Sequence, residues 1–174
     1  MTKTEPFRVN GWLIVPHDLF LEQLGAMIAD VLKDKVRHPG TYKTRRAAKM
    51  LKAVATLAFA EIPEDPTRDK YQQGNTLGDE YRHWKRAKFY QQYRLFFRYR
   101  ADTNGEKAIV YAWVNDEDTK RAYGSRTDAY SVFRRMLDGG NPPDDWSKLK
   151  AAHNAANRDR LTEMLADAKG LLDQ

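Results

Sequence analysis

"KFYQQYRLFFRYR", residues 88–100, decides the fold. From Tyr93 to Arg100 it alternates strictly, as a strand does when successive side chains point to opposite faces. Tyr93, Leu95, Phe97 and Tyr99 go to one face; Arg94, Phe96, Arg98 and Arg100 go to the other. Three guanidiniums on one face predict an open, basic surface suited to an extended anion. Trp84–Tyr90 before it and Ala108–Val114 after it are also strand-like. Asp102-Thr103-Asn104-Gly105 reads as a hairpin turn between the last two. These three strands are predicted to pair as an antiparallel meander.

On the N-terminal side, Phe7–Val15 reads as a first strand, stopped by Pro16. Asp18 is the expected N-cap of a helix reaching about Lys35, with Leu21, Leu24, Ile28, Val31 and Leu32 at helical spacing. A second helix is expected from about Tyr42 to Glu61, ended by Pro63 and Pro66, with a nearly all-basic face of Lys43, Arg45, Arg46, Lys49 and Lys52. The order β-α-α-β-β-β places two helices on the Tyr93–Tyr99 face of a small, mostly antiparallel sheet, an α+β fold. Beyond Val114, Asn115–Thr119 is a capping signal for a helical stretch over Lys120–Leu137, interrupted at Gly124. Gly139-Gly140-Asn141-Pro142-Pro143 is a candidate boundary. A core of residues 1–140 is therefore expected. A C-terminal extension of residues 141–174 would carry one amphipathic helix, Trp146–Leu172, docked on the core or a partner.

The chain has 174 residues, enough for one domain without staples, and no cysteine, so disulfides and thiolate metal sites are excluded. MTKTEPFRVNGW carries no apolar leader and no stretch approaches a membrane span, so a cytoplasmic location and no membrane partner are expected. The net charge of +6 is concentrated. Residues 41–100 hold 14 basic and 6 acidic side chains, and residues 81–100 hold 7 basic and none acidic. That local field favours nucleic acid or another polyanion over a merely solubilising face. His17, His38, His83 and His153 have no ligand spacing; they are expected at the surface, and no metal or cofactor is expected. Gly74 and Gly78 lack the Lys-Ser/Thr of a nucleotide loop.

Several motifs carry a family resemblance: Val9-Asn10-Gly11-Trp12, Trp84 followed by Lys88-Phe89, and the run Tyr93–Tyr99. Trp113-Val114-Asn115-Asp116-Glu117, Arg121 with Tyr123-Gly124, Thr127-Asp128-Ala129-Tyr130 and Pro142-Pro143-Asp144-Asp145-Trp146 continue it. Over about residues 7–146 the chain resembles the YhaV toxins of the RelE superfamily. The resemblance implies a RelE-like fold and a toxin of a type II toxin–antitoxin system that cleaves mRNA at or with the ribosome and arrests growth. It also implies a PrlF-like, swapped-hairpin, DNA-binding antitoxin, and repression of the operon by the complex at operator DNA.

Metal-free RNA cleavage uses the substrate's 2′-hydroxyl as nucleophile, so the site must accept that proton, stabilise charge at phosphorus and protonate the leaving 5′-oxygen. Arg94 supplies a forked cation for phosphate. Lysine becomes a base where like charges crowd it, so Lys88, among Arg86, Arg94 and Arg98, is the candidate base or electrostatic helper. By position in the resemblance, Arg121, Tyr123 and Tyr130 complete the catalytic set, with a tyrosine to stack on a base. Lys85, Arg86, Arg98, Arg100, Lys120 and Arg126 are expected to bind the RNA backbone. Two alternatives stay open: a gyrase-poisoning toxin on the same superfamily fold, and an RNA- or ribosome-binding module without chemistry.

Overall fold

In a computed structural model, the structure describes residues 7–101 and 104–173. β1 (Arg8–Val9) and β2 (Trp12–Pro16) precede α1 (Asp18–Arg37). α2 (Arg46–Thr56) runs through a π turn, Leu57–Glu61, into the single turn α3 (Ile62–Glu64). β3 (Lys85–Phe89), β4 (Tyr93–Ala101) and β5 (Lys107–Val114) follow, then α4 (Ala129–Asp138), α5 (Trp146–Lys150) and α6 (Ala155–Leu172). The five strands form one sheet in the order β1-β2-β5-β4-β3. Among the described residues, β2 and β5 run parallel and the other three pairings are antiparallel. This α+β arrangement, with α1 and α2 on one face of a mostly antiparallel sheet, agrees with the RelE-like expectation.

The apolar side of β4 behaves as its alternation predicts. Leu95 and Phe97 are fully buried with Ile14, Ile109 and Tyr111 beneath residues of α1 and α2. The π turn follows from this packing. It frees the Ala58 carbonyl, which accepts a hydrogen bond from the buried Tyr111 hydroxyl, and Phe59 packs against Phe7, Phe20 and Tyr111. α6 packs on the same side. Leu161, Ala168 and Leu171 are buried there, the Tyr42 hydroxyl donates to the Leu171 carbonyl at 2.7 Å, and Asn157 donates to Asp18 at 2.8 Å. A Cβ at Gly25 of α1 would lie 3.3 Å from Met164 Cε, so the glycine permits this approach.

The arginine side of β4 is not open. α4 and α5 cover it, and Leu13, Val15, Phe96, Val110 and Ala112 of the sheet are buried with Ala129, Phe133, Leu137 and Leu149. Phe96 makes this layer: its ring stacks on Phe133 at 4.3 Å and lies 5.9 Å from Trp113. A register shift opposite Phe96 and Phe97 sets Trp113 and Ala112 of β5 into the same cluster.

Four local expectations need correcting. Phe7–Val15 is a hairpin, because Asn10 (φ 50°) and Gly11 (φ 82°) form a two-residue turn of positive φ. The N-cap of α1 is His17, whose Nδ1 accepts from the Leu19 amide at 3.1 Å; His17 is buried, not at the surface. Residues 120–128 are not helical; α4 starts only at Ala129, capped by Asp128. The last helix is two, because Asn154 starts α6 afresh as its N-cap. Of the hairpin turn between β4 and β5, Asp102 and Thr103 lie outside the described residues; the flanking pair Ala101 and Lys107 is in register.

Candidate active site

β3 and β4 place Lys88 directly opposite Arg94, and Arg86 opposite Phe96, all on the α4 face. Like charges directly opposite each other on a sheet are destabilising, so this pairing costs the fold stability. Arg94 is 6% exposed and Arg86 8%. Both aim at one atom: the Tyr130 hydroxyl oxygen accepts from Arg86 Nε at 2.9 Å and from Arg94 Nε at 3.2 Å. Arg86 Nη1 also donates to the Lys70 carbonyl at 2.7 Å. Arg94 Nη1 donates to the Gln91 and Tyr93 carbonyls at 2.6 and 2.9 Å. Tyr130 lies in the first turn of α4, its ring edge against Phe96.

The segment between β5 and α4 adds a second layer. Asn115 anchors it: its side chain accepts from the Arg94 amide at 2.6 Å and donates to the Gln92 and Thr119 carbonyls. The acidic Asp116–Thr119 run is a capping box, as a plain helix-capping role requires. Arg121 then sits with its guanidinium over the Tyr130 ring, 4.8 Å from its centroid, and over the Tyr123 ring at 5.4 Å. Its Nη1 donates to Asp128 Oδ1 at 2.5 Å. Asp128 also accepts from the Ala122 and Tyr130 amides, so one buried carboxylate caps α4 and orients Arg121.

The cluster thus has a buried floor of Arg86, Arg94, Tyr130 and Asp128 and an outer layer of Lys88, Arg121 and Tyr123. Tyr123 is 93% exposed. Lys88 is exposed and has no ion-pair partner among the described residues. Four cations face one carboxylate, so the patch carries an uncancelled positive charge. A phenol oxygen has two lone pairs and one proton. Here both lone pairs are occupied by guanidinium donors, so Tyr130 has only its proton left to offer.

The other predicted positions lie elsewhere. Lys85 points to the opposite face of β3, where burial lowers its pKa and its Nζ donates to Gln72 at 2.7 Å. Lys120 pairs with Glu117 at 2.8 Å. Arg126 is exposed in the segment before α4. Arg98 is held between the Trp84 and Trp146 rings, 5.6 and 5.3 Å from their centroids, and donates to the Asp144 carbonyl; burial lowers its pKa. Arg100 is exposed beside Trp146. The basic face of the second helix is partly ion-paired: Arg45 with Asp34 at 3.4 Å, and Arg46 with Glu117. A cavity of about 340 Å³ lined by Met27, Met50, Tyr93 and Asp116 lies on the α1–α2 side. Asp128 and Asn115 were missed by the sequence reading; the signal for Asp128 was its N-cap chemistry, an Asp before an apolar helical run.

A family model for toxins with endonuclease activity, of toxin–antitoxin systems, matches residues 14–154. The chain belongs to this YhaV toxin family. It is 41% identical over 146 residues to "Ribonuclease toxin YhaV" of Escherichia coli K12, covering 83% of this chain and 93% of that protein. "Toxin YhaV" of Escherichia coli O6:H1 and of O157:H7 match with the same identity and coverage. No solved structure matches the chain. YhaV-family membership makes this a toxin with endonuclease activity, paired with an antitoxin. The family match ends one residue before α6 begins. Among the described residues, no helix is long and apolar enough to cross a membrane.

Proposed function

We propose that the chain is an endoribonuclease that cleaves mRNA by attack of the substrate's own 2′-hydroxyl, without a metal ion. The observation that supports this is the convergence of Arg86 and Arg94 on one phenol oxygen with Arg121 stacked on the same ring. Arg121 and Lys88 face the scissile phosphate, and their charge stabilises the dianionic phosphorane. Lys88, exposed opposite Arg94, takes the 2′ proton. Tyr123 stacks on a base and aligns the 2′-oxygen for in-line attack. Tyr130 supplies the proton for the leaving 5′-oxygen, and the oxygen left behind stays hydrogen-bonded to two guanidiniums. Arg94 and Arg86 act through Tyr130 rather than by gripping phosphate themselves.

The family resemblance supports the setting. In this reading the toxin works in the cytoplasm with the ribosome and is neutralised by a PrlF-like antitoxin. The pair represses its own operon at operator DNA. The test is cleavage of an mRNA by purified chain in EDTA, with and without translating ribosomes, wild type beside Arg121→Ala. Cutting that survives EDTA and is lost in the variant is the expected result. Cutting only with ribosomes makes the ribosome part of the active site. A folded chain that cuts under neither condition overturns the reading and directs the next assay to gyrase inhibition.

A further inference from the structure

A second basic corner lies at the far end of β4, six residues and about 20 Å of strand from Arg94. The sheet register builds it. Arg8 pairs with Leu13, Leu13 with Ala108, and Ala108 with Arg100. One row across four strands therefore carries an arginine at each end and small or apolar residues between, all on the α4–α5 face. The turn from α5 to α6 crosses this row. Lys150 at the end of α5 and His153 in this turn line a cavity of about 570 Å³ with Arg100, Trp146 and Ser147. Three of the buried side-chain nitrogens without a hydrogen-bond partner gather in this region: Arg98 Nε beneath Trp146, His153 Nε2, and Nε of Arg158. Burial lowers the pKa of His153, and Arg158, Lys150 and Arg8 push it the same way. Glu106, paired with Lys150 at 2.6 Å, is the acidic group that faces it.

Arg100, Lys150, an unpartnered His153 nitrogen and the Trp146 indole around one cavity have a chemistry of their own. It suits a phosphate with a planar ring beside it. The active-site cluster uses none of these residues.

We propose that this corner is a second RNA subsite, in which Arg100 and Lys150 hold a backbone phosphate of single-stranded RNA and Trp146 stacks the adjoining base. This rests on the ribonuclease reading of the Tyr130 cluster. The subsite engages RNA several nucleotides from the cut, so it governs affinity for long substrates and leaves short ones untouched.

The test is fluorescence anisotropy with 2′-O-methyl RNA, which cannot be cleaved, as a trinucleotide and as a strand of about twelve nucleotides. Wild type is compared with the double variant Arg100→Gln, Lys150→Gln; Trp146 is spared because it holds Arg98. Expected is a loss of about tenfold or more for the longer RNA with trinucleotide affinity unchanged. The slope of log affinity against log salt should shrink by about 0.7 for every phosphate that the variant no longer neutralises. Equal weakening for both lengths, or wild-type binding of the longer RNA, overturns the subsite. A wild type that binds the longer strand but does not cut its unmodified counterpart sinks the nuclease reading and leaves the subsite standing.

Discussion

Tyr130→Phe tests the floor of the candidate site. The ring stays, with its edge contact to Phe96. What disappears is one oxygen that accepts from Arg86 Nε and Arg94 Nε, both on side chains less than a tenth exposed. Hydrogen bonds to charged groups are worth about 1.5–3 kcal/mol each. Both arginines keep carbonyl partners, at Lys70, Gln91 and Tyr93, so the low end applies. Two bonds then give about 3 kcal/mol. For a chain of this size each kcal/mol lowers Tm by about 2–4 °C, so the expected drop is about 6–12 °C. Differential scanning calorimetry reads it, and cleavage is assayed well below the transition. Adding Arg94→Lys to the Phe variant should cost about 1–2 kcal/mol less than adding it to wild type, since the shared bond is already gone. A Tm within about 2 °C of wild type, or full additivity in that cycle, would refute the two-arginine, one-phenol arrangement.

Three further outcomes follow from the same geometry. Lys88→Gln removes a like charge opposite Arg94, so unfolding free energy should hold or rise by about 0.2–1 kcal/mol while RNA cleavage falls about 100-fold; a stable variant with wild-type cleavage removes Lys88 from the site. His17 is held below its ordinary pKa by burial, against the pull of Asp18 and Glu22, so the unfolded chain binds its proton more readily. Stability is therefore full above about pH 6.5 and falls as pH drops from there toward the lower folded value. His17→Asn should flatten part of that slope, and His153, lowered too, the remainder; an unchanged slope contradicts the assignment. Leu161→Ala, at a fully buried contact of α6, should cost about 2–5 kcal/mol by urea titration, and a cost under about 1 would mean α6 does not pack as described.

Period-two alternation made β4 and its apolar face legible, because burial on that face depends only on which residues point there. The other face was misread for the same reason. Phe96 sits among the arginines, and a fully buried phenylalanine needs a covering layer, which α4 provides. Asn10-Gly11 was the sequence's strongest turn signal near the start, yet the apolar run around it read as one strand. The helical pattern of Lys120–Leu137 failed because Asp128 ends one segment and caps the next. Within the site, the charge density was visible, and the resemblance alone pointed to Arg121, Tyr123 and Tyr130. That Arg86 and Arg94 share the Tyr130 oxygen was not, since residues 86, 94 and 130 meet only once the sheet and α4 are packed.

The contrast between Arg94 and Arg98, four residues apart on one strand, shows what the buried charges do. Arg98 is enclosed by two indoles and one carbonyl, with the Asp144 and Asp145 carboxylates acting on it, and its burial ties the α5 segment to the sheet. A buried guanidinium that serves only structure does best with a carboxylate or an apolar substitute, since desolvation otherwise outweighs the attraction. Arg86 and Arg94 have neither. Their partners are three carbonyls and a phenol, all neutral acceptors that satisfy the N–H groups without cancelling the charge. The carboxylate beside them, Asp128, is committed to Arg121 and to the cap of α4. Two positive charges therefore stay uncompensated beneath Lys88, Arg121 and Tyr123, in a region where water screens them poorly. Positive potential projected through a low-dielectric floor onto an exposed cationic layer is the arrangement that the proposed reaction's phosphorane would need.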